Sequence, residues 1–136
     1  MKKALLLCCL PLFMAFQFNL SSTSELLVRT WVIDDYQLPG TTAEMQKIMD
    51  ALVDEMRGNT YLKFTKLMTY EFYSDGEMDR GTYELSNDSK KIRLTNAIRV
   101  RVFEIENISR KQLTVKYKDP SRQTIRMVFV PAPDQQ

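Results

Sequence analysis

Tyr70 to Leu94 reads YEFYSDGEMDRGTYELSNDSKKIRL, and its alternation decides the fold. Tyr70 and Phe72 flank Glu71; Gly81, Tyr83 and Leu85 alternate with Thr82 and Glu84; Ile92 and Leu94 alternate with Lys91 and Arg93. A period of two is that of strands with one buried face. Asp75-Gly76 supplies a two-residue hairpin turn, because both residue types tolerate positive φ. Asn87-Asp88-Ser89 turns the chain again.

The same rhythm extends in both directions. Upstream, Leu62 and Phe64 alternate with Lys63. Downstream, Ile98, Val100 and Val102 alternate with Arg99 and Arg101, which predicts apolar residues inside and both arginines in solvent. Phe103 and Ile105 fall on the opposite parity, so a bulge or a two-sided strand is expected there. Leu113, Val115 and Tyr117 alternate with Thr114, Lys116 and Lys118. Asp119-Pro120 turns the chain into a last strand from Gln123 to Val130, followed by a tail from Pro131 to Gln136.

Before this region the pattern differs. Glu25 to Asp35 (ELLVRTWVIDD) reads as a first strand with Trp31 near its middle, ended by Pro39-Gly40. Thr41 and Glu44 then fit a capping box. Met45, Ile48, Met49, Leu52, Val53 and Met56 follow at helical spacing as one apolar stripe. Gly58 stands where a left-handed C-terminal cap would be. The chain is therefore predicted to be mainly β, an eight-stranded antiparallel up-and-down barrel with one amphipathic helix between strands 1 and 2. Closure removes unpaired strand edges. A barrel of this size is either just filled by side chains or holds one small ligand, and the pattern leaves both open.

Composition narrows the function. Of 136 residues, 44% are hydrophobic and 26% charged, which excludes disordered and fibrous classes. The opening MKKALLLCCLPLFMAFQFNLSSTS joins two lysines, an apolar stretch and small polar residues, the three parts of a secretory signal. The expected division is a signal peptide over 1–22 and one domain over 23–136, exported to the periplasm, the cell surface or the medium. The apolar run Ala4 to Phe16 has 13 residues, where a membrane-spanning helix needs about 20, so no integral span is expected. Histidine is absent, and both cysteines, Cys8 and Cys9, lie in that run. Beyond it, disulfides, zinc thiolate sites and histidine-dependent triads have no residues to build them.

After Ser24 the chain carries 17 acidic and 17 basic residues, so no overall charge favours nucleic acid. The two signs are segregated: Asp34 to Asp79 holds 10 acidic and 4 basic residues, Arg80 to Arg126 holds 5 and 12. Charges coating outward strand faces and pairing across the domain account for this; an anionic-ligand patch is the rival.

With this order of elements the chain resembles the bacterial lipocalin-like family of Bacteroidetes secreted and envelope proteins. The resemblance covers most of the chain after the signal. It rests on Leu26-Leu27-Val28-Arg29-Thr30-Trp31, the amphipathic helix, Phe72-Tyr73-Ser74-Asp75-Gly76 and Gly81-Thr82-Tyr83. Lipocalins carry G-x-W in the first strand; here Arg29 holds the glycine position. The resemblance implies binding of a small hydrophobic molecule in the barrel, with no cofactor.

Candidate site residues follow from inward parity and the helix stripe. Phe64, Tyr70, Phe72, Tyr83, Val100, Val115, Tyr117 and Met127 share the inward parity of their strands. The helix methionines pack on the barrel, form an adaptable lid over its mouth, or both. The expected ligand-binding set is Met49, Leu52, Met56, Phe64, Tyr70, Phe72, Tyr83 and Tyr117, with Trp31, Gly76 and Gly81 structural. No catalytic group and no metal site is expected. Asp34 and Asp35 are adjacent, so on a strand they point to opposite faces. Asp75, Glu77 and Asp79 crowd one hairpin and read as a solvated turn rather than a calcium loop. The expected partner is a small hydrophobic or amphipathic ligand; the alternative is a filled barrel serving as an envelope protein-interaction module. A monomer is expected.

Overall fold

The computed structural model describes residues 22–118 and 120–133; the predicted signal segment apart from Ser22, Asp119 of the predicted turn and the end of the tail lie outside them. Eight strands run in chain order: β1 (Thr30–Gln37), β2 (Thr60–Phe64), β3 (Thr69–Ser74), β4 (Glu77–Leu85), β5 (Lys91–Thr95), β6 (Val100–Ile108), β7 (Leu113–Lys118) and β8 (Thr124–Pro131). Each pairs antiparallel with the next, and β8 returns to β1 to close the barrel. A short helix α1 (Thr23–Leu27) precedes β1, and α2 (Ala43–Met56) lies between β1 and β2. This is an eight-stranded up-and-down barrel, with the longer helix where the sequence places it.

Some boundaries differ from the sequence reading, each for a local reason. Glu25 to Leu27 is helical rather than extended: Ser22 caps α1, its hydroxyl accepting from the Glu25 amide. Thr42, not Thr41, caps α2 and accepts from the Met45 amide, while the Thr41 hydroxyl donates to the Leu38 carbonyl. The helix ends at Arg57 in right-handed geometry, so Gly58 makes no left-handed cap. The turn at Asp75-Gly76 has φ of 53° and 80°, the mirror-image geometry that suits a two-residue hairpin. Pro131 belongs to β8 and pairs with Trp31, and the Ala132 amide donates to the Thr30 carbonyl.

Two bulges set which side chains face inward. The β1–β8 register shifts between Ile33 and Asp35, so Trp31 and Ile33 are buried below the shift and Tyr36 turns inward above it. The β6–β7 register shifts between Ile105 and Asn107, later than the change of parity in the sequence suggests. Above that bulge β6 keeps one parity, and it is the parity of Phe103. Val100 and Val102 are therefore 57% and 44% exposed, Ile98 in the preceding loop is 90% exposed, and Arg101 faces inward. The predicted inward Val100 and outward Arg101 are thus exchanged. Burying the larger Phe103, paired between Ile92 and Tyr117, outweighs exposing two valines.

The lower end is closed. Trp31 is fully buried, and its indole N–H donates to the Leu27 carbonyl at 3.0 Å. Arg29, at the glycine position of the family motif, lays its guanidinium 5.3 Å from the Trp31 ring and donates to the Arg110 carbonyl at 2.7 Å. One arginine thus ties α1, β1 and the β6–β7 loop together. Phe64 and Tyr83 pack edge to face at 4.8 Å above this floor. On the outer surface, Glu71 pairs with Arg80 at 3.6 Å, and Glu106 with Lys116 at 2.9 Å and Arg126 at 2.6 Å. The Glu71–Arg80 pair joins the acidic and basic halves of the sequence across β3 and β4, whereas the Glu106 pairs lie within the basic half.

Gly81 is fixed by crowding. A Cβ there would lie 2.0 Å from the Thr95 carbonyl oxygen and 2.9 Å from the Tyr70 ring. Gly81→Ala is expected to lower the unfolding free energy by about 1–3 kcal/mol, the usual range for overpacking. Urea denaturation checks this, and an unchanged midpoint would mean that β5 gives way freely.

Candidate functional site

The inward face of the barrel changes character along its axis. In the lower half the inward positions are large: Leu62, Phe64, Tyr70, Tyr83, Ile92, Leu94, Leu113, Val115 and Phe129 are all buried in one core. Toward the mouth they become small or polar, with Thr60 on β2, Ser74 on β3, Asp79 on β4 and Arg101 on β6. That shortage of filler leaves a cavity of about 510 Å³ between α2 and the upper barrel, within the usual size of small-molecule sites.

Met49, Leu52, Val53 and Met56 of α2 form its roof, and Phe72, Phe103, Tyr117 and Met127 are among its walls. Of the sequence-predicted ligand set, Met49, Leu52, Met56, Phe72 and Tyr117 line the cavity. Phe64, Tyr70 and Tyr83 lie below it in the closed core. The helix stripe splits: Val53 is buried, Met49 and Met56 are half-buried, and Met45, Ile48 and Leu52 are largely exposed. Leu52, 46% exposed, reaches the cavity from its edge. Arg57 anchors the C-terminal end of α2, donating to the Asp34 carbonyl at 3.1 Å from the β1 bulge.

A polar cluster borders the apolar wall. The Tyr70 hydroxyl donates to Asp79 Oδ2 at 3.0 Å, and the Asn96 amide donates to Asp79 Oδ1. Asn96 is held in place by its own Oδ1, which accepts from the Ile98 and Arg99 amides at 2.8 Å each. Arg101 Nη2 lies 3.5 Å from Asp79 Oδ2, and its guanidinium is 5.9 Å from the Phe72 ring. The Arg101 side chain is only 13% exposed. It borders both the apolar cavity and a second recess at the rim, lined by Asp75, Glu77, Asp79, Asn96 and Arg99. Asp79 is therefore half-buried and structural, unlike its neighbours Asp75 and Glu77, which remain on the exposed turn. Among the described residues no group of three His, Cys, Asp or Glu side chains could hold a metal ion, and no helix is long and apolar enough to cross a membrane.

Arg101 was not among the predicted site residues. The signal was present in the pairing: once β5 is read as Ile92 and Leu94 inward, the antiparallel register sets Arg101 opposite Leu94 and Phe103 opposite Ile92. Alternation within one strand could not reveal this.

No family model matches the chain, and no curated protein does. Among solved structures it is similar to an odorant-binding protein from bovine nasal mucosa, at 18% identity over 83% of this chain and 76% of that chain, with a TM-score of 0.44. The strand order and the closure define an eight-stranded antiparallel up-and-down barrel with a cavity at one end.

Burial pushes the Tyr70 phenol up to about 12 from its usual 10.0, with the hydrogen bond to Asp79 and the negative charge of that carboxylate adding to the shift. Burial also raises Tyr83. A phenol raised in the fold favours the folded state completely below its unfolded value and loses that contribution as pH climbs through the folded value. The thermal midpoint should therefore fall between about pH 10 and pH 12, and Tyr70→Phe should flatten that fall. Scanning calorimetry of the two proteins across this window gives the answer; parallel curves would place Tyr70 in water.

Proposed function

We propose that this is an exported lipocalin-like protein that binds a small hydrophobic or amphipathic molecule in the cavity beneath α2. The observation that carries this reading is the cavity between α2 and the upper barrel. Its walls are mainly apolar, so enclosing an apolar molecule removes the surface of both from water, at roughly 25 cal/mol per Å². Hydroxyls on Thr60, Ser74 and Tyr117 and the Arg101 guanidinium supply a few polar points, the pattern of an orienting site. Flexible methionines in the roof suit ligands of varied shape. Export is supported by the basic, apolar and polar succession of the opening segment. The filled-barrel alternative, an envelope interaction module, requires a packed interior, and a cavity of about 510 Å³ speaks against it.

The roof supplies the test. Met49→Asp sets a carboxylate over the apolar cavity, on a residue that contributes little to the barrel core. Binding of an environment-sensitive apolar dye should weaken by at least about tenfold, or ~1.4 kcal/mol. The β-type circular dichroism should persist. Native mass spectrometry of the protein from its own source should show a releasable lipid-like adduct. Dye binding unchanged by the substitution, with no adduct, would overturn the reading.

A further inference from the structure

We infer that the cavity selects molecules with a carboxylate head, and that Arg101 holds that head. The inference rests on the binding reading above and names the ligand class for the same site. Its basis is an imbalance between donors and acceptors. The guanidinium offers five N–H donors in a planar fork. Among the described residues its acceptor is Asp79 alone, at 3.5 Å and through Nη2, longer than the 2.7–2.9 Å typical of a charge-assisted bond. Arg101 Nε is buried without any partner. Asp79 meanwhile is well supplied, because Tyr70 and Asn96 both donate to it. The carboxylate is therefore held by neutral donors on β3 and the β5–β6 loop, while the arginine beside it remains under-used.

The surroundings explain why this head group should be an anion with two oxygens. On the cavity side, Phe72 lies against the guanidinium and Phe103 and Met127 share the wall; the carboxylates of Asp75 and Glu77 lie on the adjoining rim recess. A carboxylate can satisfy two N–H groups of the fork together, whereas an alcohol or an ester oxygen fills one. The apolar body of such a molecule would lie along Phe72, Phe103 and Met127 beneath α2.

The test compares four probes sharing one chain: dodecanoate, methyl dodecanoate, dodecanol and dodecylamine. Each is titrated calorimetrically into the delipidated protein near neutral pH. Dodecanoate should bind at least about tenfold more tightly than the alcohol or the ester, with the amine weakest. Arg101→Met should erase that preference, and Arg101→Lys should restore part of it. Alcohol or ester binding as tight as acid binding in the native protein would overturn the inference and leave the apolar pocket standing. Failure of all four to bind would instead remove the pocket reading itself. The comparison within the native protein decides the matter even if the Met variant does not fold.

Discussion

Everything in this molecule depends on β8 returning to β1. The register from Trp31 opposite Pro131 to Gln37 opposite Arg126 joins the first and last strands and leaves no free sheet edge. Closure also converts eight inward faces into one interior, so each position must be judged by what lies across the lumen. The floor is built at the same seam: Trp31 stands on β1, bonded to the Leu27 carbonyl below and covered by Arg29. The β1 bulge then turns Tyr36 inward, while the Asp34 carbonyl it carries receives Arg57 from the end of α2. The seam thus positions both the plug and the roof.

Between them, the interior is graded. An eight-stranded barrel is just wide enough for side chains to fill it, so emptiness requires a deficit of volume at particular inward positions. Here the deficit lies at the top of three adjacent strands. Thr60, Ser74 and Asp79 occupy positions whose counterparts lower down are Leu62 or Phe64, Tyr70 and Tyr83. α2 roofs the gap with Met49, Val53 and Met56 without entering it deeply, and the cavity persists.

Much of this was legible in the residues. Period-two alternation with Asp75-Gly76 and Asn87-Asp88-Ser89 as punctuation gave strand number and order, because short hairpins leave few topologies. The helix was readable from its spacing, although its cap was misplaced by one residue. Where reading failed, the cause was a choice between two local solutions that only tertiary pairing resolves. Glu25 to Leu27 looked like strand, yet Ser22 offered a helix cap. Ile98, Val100 and Val102 made a clean alternation that conflicted with Phe103 and Ile105, and a single strand can honour only one. The closing glycine was missing from the family motif, but Arg29 supplies its own packing over Trp31. Small inward residues at the mouth were visible too, but their meaning depended on knowing which strands end there.

The choice made by β6 bears on function. Exposing Val100 and Val102 to bury Phe103 carries a second cost, because it also draws Arg101 into the barrel. Removing a charge from water is expensive, and a buried ion pair seldom recovers the loss. An apolar residue at position 101 would avoid that cost and narrow the cavity that the small residues leave. Instead, the surroundings accommodate the charge: Asp79 is oriented toward it by Tyr70 and Asn96, and Asn96 is itself locked by two backbone amides. Stability alone gives no reason for so many residues to position one carboxylate beside an arginine that stays under-used. The half-buried Arg101, with its Nε unpartnered, is the group on which the proposed recognition of a polar head rests.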